Sequence, residues 1–178
     1  IYMKATGVVR RIDDLGRIVI PKELRRTMRI KEGDSLEIFI DGSDKVILRK
    51  YSPVQNIHDI VEEFVSGIYE SNKVDIIVTD SDKVIAVGGN VPKELVGKKI
   101  TMSLEDRMHN RTTQIIERGS NFSITENFVL NKAAVFKPIH VYGDILGSII
   151  IVGDNGITDV EKSLIEFSTS FFNKYLEN

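Results

Sequence analysis

Residues 3–31, MKATGVVRRIDDLGRIVIPKELRRTMRIK, carry nine Lys/Arg against three Asp/Glu, a local net charge of +6 in a chain of 178 residues whose overall charge is −2. Residues 1–50 together hold a net +4 and the remaining 128 a net −6. An opposite charge balance in two parts of one chain argues for two modules with different partners rather than one domain. Five of the cations, Arg10, Arg11, Arg17, Arg25 and Arg26, fall in strand-like stretches and a short helix rather than in a tail. That is the electrostatic footprint of a protein that sits on a phosphate backbone. A solvated basic face without a partner is the competing reading, and for Arg17 it takes the form of a surface ion pair with Asp13 or Asp14.

The local pattern of the first module is legible. Thr6 to Ile12 is short and rich in β-branched residues, Asp13-Asp14-Leu15-Gly16 is a turn cluster, and Arg17 to Ile20 resumes strand character, which predicts a hairpin with arginines at both ends of its loop. Pro21 presets the first turn of a helix in which Leu24 and Met28 share a face, with Arg25, Arg26 and Arg29 off that stripe. After the Glu32-Gly33-Asp34 turn, Leu36, Ile38 and Ile40 alternate with Glu37, Phe39 and Asp41, and Asp41-Gly42-Ser43-Asp44 turns into Lys45–Lys50. Such a β–β–helix–β–β unit buries too little surface to be secure alone, so dimerisation is the expected remedy.

The spacing Thr6-Gly7, Val9-Arg10-Arg11, Asp13, Leu15-Gly16-Arg17, Val19, Pro21, Glu23-Leu24-Arg25-Arg26, followed by Gly33-Asp34 and Glu37-Ile38-Phe39, closely resembles the swapped-hairpin DNA-binding domain of the AbrB transition-state regulators. The resemblance implies an intertwined dimer over residues 3–53 that binds double-stranded DNA through Arg10, Arg17, Arg25 and Arg26, with Arg11 and Lys4 as supplements. It also implies regulation of sporulation genes. Guanidinium forks suit both tasks, since they bind phosphate bidentately and read guanine edges in the major groove. No long recognition helix is present, so strand, loop and short-helix side chains would do the reading, with DNA shape contributing.

Residues 54–178 read as an α+β domain with an antiparallel sheet. Ser52 and Pro53 open a helix in which Val54, Ile57, Ile60, Val61, Phe64, Val65, Ile68 and Tyr69 recur at helical spacing. Residues 75–80 and 83–89 form a predicted hairpin, 91–96 a short helix, and 104–117 a longer one capped by Ser103. Strands are expected at 121–129, 133–141 and 145–152, and Thr158 to Glu161 is a capping box that opens a last helix running through Phe171 and Tyr175. The element order is similar to a GAF domain, and a PAS-like fold or another α+β sensor domain would read almost the same. In GAF and PAS domains a small molecule lies between the sheet and the helices inserted over it. Gly88, Gly89, Asn90, Ser103, Glu126 and Asn127 could line such a pocket for an unidentified ligand, although each also has an ordinary turn or cap role. Gly143 and Gly147 mark a turn and a close approach. Phe171, Phe172, Tyr175 and Leu176 place apolar surface on more than one face of the last helix, which predicts a second, helix-to-helix contact and a homotetramer.

No cysteines are present, and no apolar run approaches the roughly 18 residues that span a bilayer. With no signal peptide the chain reads as cytoplasmic, and Ile1-Tyr2 ahead of Met3 reads as the remnant of a tag. His58, His109 and His140 are isolated, and no metal, phosphate-loop or nucleophile motif appears, so neither an enzyme nor a cofactor is expected. Two other functions remain open: an AbrB-fold antitoxin, and a metabolite-binding protein whose basic module only dimerises.

Overall fold

The computed structural model describes residues 6–177, so Lys4 lies outside the described residues. The chain divides after Tyr51 into two units.

In the first unit the Asp13–Arg17 loop closes on itself: the Gly16 N–H donates to the Asp13 carbonyl and the Asp13 N–H to the Arg17 carbonyl, both at 3.0 Å. The arms on either side, residues 6–12 and 18–20, form no ladder among the described residues. The predicted first hairpin is therefore corrected: its loop is present and its strands are not paired. A two-stranded ribbon with no layer behind it is marginal in water, and Val9, Ile12 and Val19 stand exposed, uncovered by the described residues of this unit. Helix α1 (Lys22–Thr27) follows the buried Pro21 and carries Arg25 and Arg26 in its last turn, where cations complement the helix dipole. Strands β1 (Leu36–Asp41) and β2 (Lys45–Lys50) form an antiparallel hairpin. Ile38 pairs with Leu48 and Ile40 with Val46, while Glu37 pairs with Arg49 and Phe39 with Ile47. Because successive side chains alternate, the first two pairs share one face and the second two the other. Lys50 Nζ clips this hairpin to the preceding turn, reaching the Arg29 carbonyl at 3.1 Å and Asp34 at 3.3 Å.

The second unit begins at Ser52, with the helix start expected at Ser52-Pro53. Ser52 Oγ accepts the Gln55 N–H at 3.1 Å and donates to Asp80 at 2.8 Å, starting α2 (Pro53–Asn56). A break at Ile57 separates α2 from α3 (His58–Asn72), so the expected single helix is two, and Val54, Val61, Val65 and Ile68 keep one buried stripe across them. Strands β3 (Asp75–Asp80) and β4 (Val84–Gly88) form the predicted hairpin, followed by a 3₁₀ turn at Lys93–Leu95. Helix α4 (Met102–Met108) is shorter than expected and is capped by Thr101, whose Oγ1 accepts the Leu104 N–H at 3.2 Å, rather than by Ser103. The chain turns at Arg111 with φ of 53°, and β5 (Gln114–Ile116) pairs with the sheet where helix was expected. The strand expected at 121–129 bends at Glu126-Asn127 into a hairpin of β6 (Phe122–Thr125) and β7 (Phe128–Leu130). Strands β8 (Ala133–Val141) and β9 (Asp144–Gly153) are the long central pair, and α5 (Asp159–Leu176) begins at the predicted Thr158–Glu161 capping box.

The sheet order is β4-β3-β9-β8-β5, antiparallel throughout. One face of it packs Ile76, Val78, Val135, Ile149 and Ile151 against Val65 of α3 and Ile165 and Phe172 of α5. The other packs Ile77, Ala134, Phe136 and Ile150 against Leu104 and Met108 of α4 and Phe122 and Ile124 of the hairpin. Coverage on both faces explains why these strands read as unbroken apolar runs. The result is a GAF-like α+β domain of three layers.

Candidate nucleic-acid interface

Among residues 6–51 no Val, Ile, Leu, Met or Phe is buried, and Pro21 is the one buried residue there. Leu24, Met28, Ile20, Val46 and Leu48 line one side of an open apolar groove instead. Arg25 and Arg26 of α1 are exposed, as are Arg10, Arg11 and Arg17 of the loop and its flank, and Arg10 also borders the groove. All five arginines named from the sequence are thus exposed, on a unit whose apolar side chains are uncovered.

Only Arg17 has a charged partner among these five. Its Nε lies 2.7 Å from Asp13 Oδ2, with the Arg17 side chain 70% exposed. The ion pair that competed with DNA contact in the sequence reading is present, and Asp14 takes no part in it. Asp13 does more than neutralise charge. Its Oδ1 accepts the backbone N–H groups of Leu15 at 3.0 Å and of Arg17 at 2.7 Å, which is how an aspartate at the start of a turn shapes it. The Arg17 N–H, and after it the Arg17 guanidinium, hold the Asp13 carboxyl below its usual range. Gly16 sits at φ of 74°, a left-handed position glycine adopts without strain. Sequence reasoning missed Asp13 as a member of the site, although an aspartate four residues before an arginine across a Leu-Gly turn was the available signal.

In the second unit the residues proposed as a ligand pocket do other work. The Asn90 N–H donates to Asp75 Oδ1 at 2.8 Å, while Ser103, Glu126 and Asn127 are exposed. The space between sheet and α4 is filled by Ile77, Leu104, Met108 and Phe136. The outward face of the last helix is corrected in detail. Phe172 is fully buried in its own domain's core, whereas Phe167 and Tyr175 are 59% and 42% exposed. Phe64 of α3 stacks on Phe171 with ring centroids 5.0 Å apart, and Phe171 stacks on Tyr175 at 6.0 Å, giving an aromatic ladder across α3 and α5.

Comparison with known proteins matches residues 56–177 to the family described as Stage V sporulation protein T C-terminal, transcription factor, and residues 9–56 to that described as Antidote-toxin recognition MazE, bacterial antitoxin. Stage V sporulation protein T of Bacillus subtilis (strain 168) is 39% identical over 178 residues, covering 98% of this chain and 99% of that protein. The chain belongs to the stage V sporulation protein T family. The chain is also 60% identical over 52 residues to the transition state regulatory protein AbrB of the same organism, a match covering 29% of this chain and 53% of that protein. A solved structure of a methyl-accepting chemotaxis protein, residues 122 to 287, superposes with a TM-score of 0.57 at 12% identity over 67% of this chain and 88% of that one, and shows the fold alone. The family is one of sporulation transcription factors, joining an AbrB-type domain to a GAF-like domain. No described helix is long and apolar enough to cross a membrane.

Proposed function

We propose that this chain is a sequence-specific regulator of sporulation genes that binds double-stranded DNA as a dimer of its first unit, in the cytoplasm. The observation that carries the reading is the combination within residues 6–51 of exposed arginines and an uncovered apolar surface. A second copy would cover the apolar face and repeat each arginine at a fixed spacing along a duplex. Arg10, Arg17, Arg25 and Arg26 are the contacting residues, supplemented by Arg11 and Lys4. Through the aromatic ladder of α3 and α5 the second units associate further, giving a homotetramer. The folded core of the second unit favours this reading over the antitoxin, whose recognition family covers residues 9–56 only.

Titration of the full-length chain against short duplexes at several salt concentrations tests it. Contact with on the order of eight phosphates gives a slope of log affinity against log salt of roughly −7. Arg17→Ala and Arg25→Ala, each removing two contacts per dimer, should abolish binding without changing the mass of the assembly. A slope near zero, or wild-type affinity in both variants, rejects the proposal.

A further inference from the structure

Within a segment built to meet phosphates, Asp13 is a carboxylate that charge alone would exclude. It nevertheless takes part in five hydrogen bonds of its loop: both carboxylate oxygens and both backbone groups are engaged with Leu15, Gly16 and Arg17. An exposed aspartate–arginine pair contributes little to stability in water, so the bonds to the Leu15 and Arg17 amides carry the structural part of Asp13 and the ion pair itself calls for another account. Toward a polyanion it is unfavourable, because it subtracts one charge per chain from the attractive field. What it supplies is order. With Nε held at 2.7 Å by Asp13, the Arg17 guanidinium keeps its Nη1 and Nη2 amino groups as an outward fork with no protein partner among the described residues. An arginine already held in place loses less side-chain freedom when it contacts a base, and such a fork matches the O6 and N7 acceptors of guanine in the major groove.

We propose that Asp13 is a positioning residue for sequence readout: it fixes Arg17 so that the Nη1–Nη2 edge addresses a guanine, raising discrimination among sequences while lowering general affinity for duplex DNA. The inference rests on the DNA-binding reading above. Phosphate contact would gain the same saving without any discrimination, since phosphate contacts carry no sequence information directly.

The experiment uses the full-length chain, one duplex selected by the wild type from a randomised pool, and one unrelated duplex of equal length. Asp13→Asn keeps an oxygen that can accept the loop amides and removes the charge. Its affinity for the unrelated duplex should equal or exceed that of the wild type, while its preference for the selected duplex falls about tenfold. Asp13→Glu retains the charge and displaces the carboxylate by one methylene. It should lose the same preference with the wild-type salt slope. Because Asp13 acts through Arg17, adding Asp13→Asn to Arg17→Ala should restore no preference for the selected duplex. An equal gain of affinity for both duplexes in Asp13→Asn, or undiminished preference in Asp13→Glu, overturns the proposal and leaves DNA binding intact. A wild type that binds neither duplex overturns the DNA-binding reading, and this inference with it.

Discussion

Ile40 and Val46 face each other across the β1–β2 hairpin and both lie in water, 79% and 69% exposed. The opposite face of the same hairpin is already furnished for solvent: Arg49 bonds Glu37 at 2.9 Å and its guanidinium lies 4.5 Å above the Phe39 ring. One face is finished and the other lacks a cover, which is the state of half a fold. Residues 3–53 expressed alone should therefore dimerise and unfold with a midpoint that rises with concentration. Ile40→Asp should weaken the dimer by about 2 kcal/mol or more, since each copy loses a buried side chain. A stably folded monomer in sedimentation would contradict this.

The close approach at Gly147 makes a second prediction. A Cβ there would lie 2.0 Å from the Thr79 carbonyl oxygen, beside the buried Thr79–Ser148 hydroxyl contact of 2.8 Å that joins β3 to β9. These are backbone atoms of the central sheet and cannot swing aside. Gly147→Ala should lower the stability of the second unit by about 1–3 kcal/mol, read as a fall in the urea midpoint. An unchanged midpoint would mean that the strands can part there at no cost.

The parts of this fold that were legible in the sequence are those whose signals are local. The Thr158–Glu161 box and the Ser52-Pro53 start are capping chemistry within four residues, and they appear as expected. The β3–β4 hairpin is likewise set by its own turn. The expected 104–117 helix failed because Leu104 and Met108 fit a helical stripe, yet Gln114–Ile116 completes its backbone bonding on β8, more than fifteen residues further on. Tertiary pairing there overrode the local pattern. The arginines were legible because unbalanced charge on a small unit has nowhere to go but the surface. Asp13 was not, because an acid beside a base reads first as neutralisation, and only its bonds to the Leu15 and Arg17 amides reveal a structural task.

Glu166 of α5 makes a prediction in pH. It accepts hydrogen bonds from Lys137 of β8 and, at 2.8 Å, from Thr113 Oγ1, and these two donors, Lys137 foremost, hold its carboxyl below the ordinary value of 4.5. A depressed folded pKa gives stability that is present above the unfolded value and is lost as pH falls through the folded one. Because the Glu166 side chain is 55% exposed, the contribution is under about 1 kcal/mol. Glu166→Gln should lower the melting temperature by a few degrees at most near neutral pH, and the difference from wild type should vanish in acid. A difference of the same size at both pH values would assign the effect to shape rather than charge.

Phe172 and Tyr175, grouped in the sequence as one apolar surface of α5, have separate roles, and Phe167 shares that of Tyr175. Phe172 is fully buried against the sheet, so Phe172→Ala should destabilise the second unit by about 3–5 kcal/mol whatever the assembly state. Phe167 and Tyr175 stand on the outward ladder, 59% and 42% exposed, and their own domain gains little from them. If a second copy covers that ladder, Phe167→Glu with Tyr175→Glu should halve the mass of the assembly in sedimentation, leave the thermal unfolding of the second unit nearly unchanged, and spare binding to a single short duplex through the first unit's dimer. An unaltered mass in that double variant would confine α5 to its own domain and leave the first unit as the sole interface.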